Sequence, residues 1–137
     1  MSWIILDASV TLSWCFPDEQ TPSAMGVLDL LKAGDQALVP AFWCSEVLNS
    51  LLVAERKGRI SANHTRAFLE DLRALRPTLD DASLERVFQD NYALCRRYGL
   101  AAYDALYVEL AIRSKSPLAT LDQNQRDAAL AAGVTCL

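Results

Sequence analysis

The chain opens on a continuous apolar run, Trp3-Ile4-Ile5-Leu6, that stops at Asp7. Such a run, rich in β-forming residues, predicts a strand covered on both faces, as in a parallel sheet. Thr21-Pro22 then supplies a helix cap and a first-turn proline, and Gly34 a stop, so a helix of about a dozen residues is expected between them. Ala37-Leu38-Val39 reads as a second short strand ended by Pro40. From about Phe42 to Lys57 the apolar spacing is helical, with Gly58 closing the helix. Ser61 caps a further helix that ends before Pro77, and Asp80 and Asp81 open another that runs to Gly99. Tyr103 to Ser114 is helical again. Leu118-Ala119-Thr120-Leu121 reads as a strand meeting Asp122, and Asp122-x-x-Gln125 has the spacing of a capping box for a last helix ending at Gly133. Val134-Thr135-Cys136 suits an edge strand.

Strands alternating with helices predict one α/β domain across residues 1–137, with a central, mostly parallel sheet flanked by helices. Ligands of such sheets bind outside the carboxyl ends of the strands. Asp7 and Asp122 both fall at predicted strand ends, so both face one edge of the sheet.

Composition narrows the chemistry. Of 137 residues, 13 are Lys or Arg and 17 are Asp or Glu, a formal charge of −4, which argues against holding nucleic acid by bulk charge. Local acidic clusters as metal sites remain compatible with nucleic-acid chemistry. Hydrophobic residues make up 52%, enough for a core and against disorder. The single histidine, His64, beside the Ser61 cap, excludes paired-imidazole catalysis and multi-histidine zinc sites, and it is expected to have no catalytic part. Cys15, Cys44, Cys95 and Cys136 form no C-x-x-C pair; Cys44 and Cys95 lie in apolar helical patterns and are expected to pack as small hydrophobes. No apolar stretch approaches the ~18 residues of a membrane span, and the N-terminus lacks the basic region of a secretory signal. A reducing cytoplasm is the expected compartment.

Four carboxylates stand out. Asp7 and Asp122 each have an ordinary explanation as helix caps. Glu46 shares its helix surface with Phe42, Asn49, Ser50 and Val53, on a helix whose other sides carry Trp43, Val47, Leu48, Leu51 and Leu52. A surface position on a mixed face would also accommodate it. Asp104 has Tyr107, Val108 and Ala111 as its helical neighbours. A charge on that stripe is costly unless paired or bound to a cation, although an acid near a helix start also complements the dipole. Glu109, with Arg113 one turn on, reads as an ordinary exposed ion pair. Four converging acids without partners would repel, and Mg²⁺ or Mn²⁺, which prefer oxygen ligands, would remove that repulsion. Such a cluster suits phosphodiester hydrolysis, where metals activate water and stabilise the leaving oxygen.

At these residues the sequence resembles the PIN-domain ribonucleases. The opening Ile-Ile-Leu-Asp7-Ala-Ser9, the segment from Pro40 through Glu46-Val-Leu-Asn49, Tyr103-Asp104-Ala-Leu-Tyr107 with Ala111, and Leu118-Ala-Thr120-Leu-Asp122 followed by Ala128-Ala129 and Gly133-Val134 are similar to the family's four motifs, in order, over essentially the whole chain. Among PIN domains, a chain of this size looks most like a VapC-type toxin of a type II toxin–antitoxin pair. The resemblance implies a three-layer PIN-like fold and a metal-dependent endoribonuclease, usually dimeric and inhibited by a cognate antitoxin. It implies Mg²⁺ or Mn²⁺ ligation by Asp7, Glu46, Asp104 and Asp122, with Ser9, Asn49 and Thr120 as supporting polar residues.

Other readings fit less well. A response-regulator receiver wants an acidic pair after its first strand and a late-strand lysine, whereas Asp7 is followed by Ala8 and the late strand meets Asp122. A haloacid-dehalogenase-type phosphatase wants Asp-x-Asp, and the chain has Asp7-Ala8-Ser9. The alternative from another class is a catalytically silent interaction module, such as an inactivated nuclease homologue, in which the acids are caps. Arg56, Lys57 and Arg59, and Arg96 with Arg97, are candidate RNA phosphate contacts, or simply solvated helix ends. Trp14, Phe16 and Phe42 suit either a protein interface or the core.

Overall fold

The structure is a computed structural model and describes residues 2–137. Four parallel strands, β1 (Trp3–Leu6), β2 (Gln36–Pro40), β3 (Thr78–Asp80) and β4 (Leu118–Ala119), form a sheet in the order β3-β2-β1-β4. Ile5 lies beside Leu38 of β2 on one side and Leu118 of β4 on the other. Ile4, Ile5 and Leu6 are all buried, although their side chains alternate between faces, so helices cover the centre of the sheet on both sides.

Those helices are α1 (Ala8–Ser13), α2 (Pro22–Lys32), α3 (Phe42–Arg56), α4 (Ala62–Ala74), α5 (Leu84–Arg86), α6 (Tyr92–Tyr98), α7 (Ala102–Ser114) and α8 (Gln123–Ala131). A 3₁₀ turn spans Pro17–Glu19, and a π-helical turn, Val87–Asn91, joins α5 to α6. The predicted caps of α2 and α4 are present: Thr21 accepts from the Ala24 amide and Ser61 from the His64 amide. Helix α7 is the most deeply set, with Ala105, Tyr107, Val108, Leu110 and Ala111 almost wholly buried. It is delivered there by Gly99, whose left-handed backbone (φ 67°) ends α6 and turns the chain.

Several sequence expectations need correction. Residues 8–13, given no element, form α1. Asp80 and Asp81 do not open a helix: Asp80 ends the edge strand β3, and the helix starts at Leu84, capped by Ser83. The expected edge strand at Val134–Cys136 is reduced to one parallel bridge between Leu118 and Cys136. Cys44 is exposed, and the fully buried thiol is Cys15; Cys95 is half-buried against the core, as expected. Phe16 is core, whereas Trp14 and Phe42 are half-buried.

Glu109 is the largest discrepancy. It is buried, accepts from Arg113 Nε at 2.8 Å and lies 3.5 Å from Arg86 Nε. Arg113 also donates to both oxygens of Asp80, at 3.2 and 2.7 Å. The pair expected at the surface is thus part of a network joining α7 to β3 and α5. Among the described residues, no helix is long and apolar enough to cross a membrane.

Candidate active site

In a sheet ordered β3-β2-β1-β4, the chain builds outward from β1 through β2 to β3 and then returns to the opposite side of β1. The crevice beyond the carboxyl ends of β1 and β4 is therefore the topological switch point, where open α/β sheets bind ligands. Asp7 follows β1 into this crevice and Thr120–Asp122 follow β4.

Asp7 is buried and caps α1. Its Oδ2 accepts from the Ser9 amide at 3.1 Å, from Ser9 Oγ at 2.5 Å and from Thr120 Oγ1 at 3.3 Å. Ser9 Oγ accepts in turn from the Leu121 amide at 3.0 Å, and Thr120 Oγ1 from the Asp122 amide at 3.0 Å, so the two hydroxyls stitch the end of β1 to the end of β4. One oxygen of Asp7 is fully engaged. The other, Oδ1, meets only a long contact from Gln125 Nε2 at 3.5 Å among the described residues.

Asp122 caps α8 by accepting from the Gln125 amide at 2.9 Å, half of the expected capping box. The Gln125 side chain does not return to the cap. It turns inward, fully buried, and donates to the main-chain carbonyl of Asp104 at 3.2 Å as well as approaching Asp7. Glu46 reaches the crevice from α3 and accepts from Tyr107 Oη at 2.6 Å. Asp104 reaches it from the first turn of α7.

The electrostatics show that these acids share one space. The Asp104 carboxyl is pushed above the usual range by burial, then by the charges of Asp122 and Asp7. Glu46 is raised by burial and by Asp7 and Asp104, against the lowering effect of the Tyr107 hydrogen bond. Burial, reinforced by the bond to Glu46, keeps the Tyr107 phenol protonated. Among the described residues, no Lys, Arg or His forms an ion pair with any of the four acids.

The donor set fits a hard divalent cation. It is all oxygen, and it includes an Asp7 oxygen with little hydrogen bonding. The buried Gln125 Oε1 has no hydrogen-bond partner. Among the described residues, no three acidic, His or Cys groups are drawn close enough to make a ready ligand cage. Carboxylates of like charge repel, and a cation would draw them inward.

The remaining sequence candidates divide. Ser9 and Thr120 belong to the hydrogen-bonded core of the site, whereas Asn49 is exposed on α3, one turn on from Glu46. Arg59 is already committed: it donates to Glu19 at 2.8 Å and to Asp18 at 3.1 Å, with its guanidinium 4.2 Å from the centre of the Phe16 ring. Arg56 and Lys57 are exposed about 15 Å along α3 from Glu46. Arg96 and Arg97 are exposed on α6, over the Tyr92 and Tyr98 rings. His64 lies 3.7 Å from Cys15 Sγ, outside the acidic crevice. In the sequence Gln125 figured only as the capping-box partner of Asp122, and Tyr107 only as a helical neighbour of Asp104 and part of a motif. The signal for Gln125 was its place on the buried stripe of α8 with Ala128 and Ala129.

Four carboxylates facing the switch point of a parallel sheet define the class: a parallel α/β domain with an acidic crevice at the carboxyl ends of its central strands. The chain belongs to the PIN domain family, whose profile matches residues 4–130. It is similar to Ribonuclease VapC3 of Pyrobaculum aerophilum, 28% identical over 120 residues that cover 88% of this chain and 89% of that protein. Its fold matches the crystal structure of PAE2754 from the same organism, with a TM-score of 0.72 and 20% identity over 99% of this chain and 89% of that one. It also matches VapBC2 from Rickettsia felis, solved bound to a promoter DNA fragment (TM-score 0.69, 14% identity, 100% and 98% of the two chains). FitAcB from Neisseria gonorrhoeae is a further match (TM-score 0.66, 18% identity, 98% and 96%).

Proposed function

We propose that this chain is a divalent-metal-dependent endoribonuclease and the toxin of a toxin–antitoxin pair. The observation that carries the reading is the set of four acids over one switch point, none of them in an ion pair among the described residues. Asp7, Glu46, Asp104 and Asp122 would hold Mg²⁺ or Mn²⁺. A bound ion of this kind supplies Lewis acidity, lowering the pKa of a water and neutralising charge on the leaving oxygen of a phosphodiester. The protein's own part is orientation. Ser9 and Thr120 fix one oxygen of Asp7, leaving the other turned to the crevice; Tyr107 fixes Glu46; Gln125 ties Asp7 to the first turn of α7. Outer partners of this kind set ligand direction and commonly change metal affinity ten- to a hundredfold.

Arg56, Lys57, Arg96 and Arg97 are free to meet RNA phosphates, which an acidic protein needs from local patches. Arg59, held by Asp18 and Glu19, is not. The ribonuclease name of the relative supports RNA as substrate, and the VapBC2 and FitAcB matches support an antitoxin partner. A basic side chain from that partner, arginine above all, is the natural plug for the acidic crevice. We place the protein in the cytoplasm, as a single-domain homodimer.

Purified protein should cleave RNA with Mg²⁺ or Mn²⁺, leaving 5′-phosphate and 3′-hydroxyl ends. A chelator or Asp104→Asn should abolish cleavage. Undiminished activity in chelator, or 2′,3′-cyclic phosphate ends, would refute the mechanism. Harmless overexpression with no small partner on purification would count against the toxin role.

A further inference from the structure

Helices α1, α2, α4, α5 and α8 each start on a side-chain cap, from Asp7, Thr21, Ser61, Ser83 and Asp122. Helix α6 continues the π turn and needs none. Helices α3 and α7 start on Ala41 and Ala101, which have no polar side chain to give. These two uncapped helices are the ones that carry Glu46 and Asp104. An aromatic pair joins their first turns instead. Phe42, the first residue of α3, stacks on Tyr103 of α7, with ring centres 4.8 Å apart and planes 13° from parallel. One turn further along both helices, Glu46 accepts from Tyr107 Oη at 2.6 Å. Phe42 and Glu46 share a helix face at i, i+4, and so do Tyr103 and Tyr107. The two contacts are successive rungs of one ladder between α3 and α7. Away from it, α3 packs mainly on α1 and α4, and α7 on the sheet, α6 and α8.

We infer that Phe42 and Tyr103 are positioning residues: their stack clamps the first turn of α3 to that of α7 and so sets the spacing between Glu46 and Asp104. The lower rung is anchored in the core, because Tyr107 is wholly buried. The upper rung is not. Ala102 and Tyr103 are exposed and Asp104 is half-buried, so core packing does not hold the turn that presents Asp104. An uncapped helix end frays unless something else ties it down. Phe42 sits one turn before Glu46 and Tyr103 directly before Asp104, so opening the stack releases both acids at once. The inference rests on the proposed metal site for its consequence, while one of its two measurements needs no metal.

Amide hydrogen exchange of the metal-free protein reads the clamp itself. Leucine keeps apolar bulk and helix propensity but cannot stack. Tyr103→Leu should speed exchange at Glu46 and Val47, whose amides close the first turn of α3, by about two- to tenfold, the loss of one aromatic stack. Phe42→Leu should do the same at Ala105, whose amide bonds the Ala101 carbonyl. Calorimetric titration with Mn²⁺ reads the consequence. Either variant should weaken binding about tenfold, and the double variant little more, since the same contact is lost each time. Tyr103→Phe, which keeps the ring, should restore the parent's behaviour in both measurements. Glu109→Gln serves as a fold weakened away from the acids. A loss of affinity in Tyr103→Leu no greater than in Glu109→Gln overturns the inference. So do additive losses in the double variant, or faster exchange confined to the substituted helix. A Tyr103→Phe protein as impaired as Tyr103→Leu would assign the role to the hydroxyl and also overturn it. Leucine variants that cleave RNA poorly with affinity and exchange unchanged would make Tyr103 a substrate contact, and the clamp fails. A parent protein that binds no Mn²⁺ sinks the metal site instead, and exchange across the two helices then decides the clamp.

Discussion

Asp104 carries its charge on a helix stripe whose other members, Tyr107, Val108 and Ala111, are almost wholly buried. Burial, with Asp122 and Asp7 close by, makes the ionised form unfavourable, and its pKa is raised in the metal-free fold. The folded state therefore binds the proton more tightly than the unfolded chain. This acid's contribution to stability is intact below its unfolded pKa, near 4, and is lost as pH rises through the higher folded value. Asp104→Asn removes that loss at nearly constant volume. In metal-free buffer the variant should be more stable than the parent at pH 7, by on the order of 0.5–1 kcal/mol once solvent screening of a half-buried group is allowed for. The advantage should shrink toward zero near pH 4. Urea unfolding of both proteins across this range measures it. A variant less stable at pH 7 would mean that Asp104 serves only the helix dipole.

At the scale of elements, the Asp80–Arg113–Glu109–Arg86 network fastens α7, which presents Asp104, to β3 and α5. Glu109→Gln should lower stability by about 1–3 kcal/mol, because Arg113 and Arg86 lose a buried anionic partner while remaining partly solvated. The urea midpoint should fall, and Mn²⁺ affinity at the acids should not change, because Glu109 does not face them. A shared loss of stability and affinity would show that α7 shifts as a body. Local pattern made α3, α4 and α7 legible in the sequence, along with β1 to the residue, because each has its own period or its own cap. Helix α1 was hidden by being six residues long. Strand β3 was hidden because a three-residue edge strand leaves Thr78 and Leu79 exposed, so no burial pattern forms, and its Asp80 mimics a helix cap. The placing of Glu109 failed for a related reason: its partners Arg86 and Asp80 come from elsewhere in the chain, and helical spacing reveals only Arg113. The four acids were readable as anomalies, but Gln125 resembled an ordinary capping partner until the fold turned its side chain toward Asp7.

For the whole molecule, a divalent ion held at the acidic crevice, as proposed, would couple folding to both pH and metal. Without a cation, the raised pKa values of Asp104 and Glu46 make their contribution to stability decline as pH rises past the unfolded carboxylate range. A bound divalent ion reverses the sign. Ligating carboxylates are deprotonated in the folded state, so their pKa values fall below the unfolded values. The stabilisation is then present above the unfolded pKa and is lost as pH falls. Carboxylates outside the crevice, such as Asp80, contribute equally with and without the ion and cancel in the difference. The gain from Mn²⁺ over chelator should therefore be near zero around pH 4 and full at pH 7. At a hundredfold excess over Kd it should reach about 2.7 kcal/mol, a rise in melting temperature on the order of 10 °C. Asp104→Asn should keep the pH trend and show a smaller rise at pH 7, since three of the four carboxylates remain. Paired thermal melts of both proteins, with Mn²⁺ or chelator at each pH, make the measurement. A gain that is equal at both pH values, or equal in the two proteins, would place the ion away from Asp104 and leave the four acids as caps.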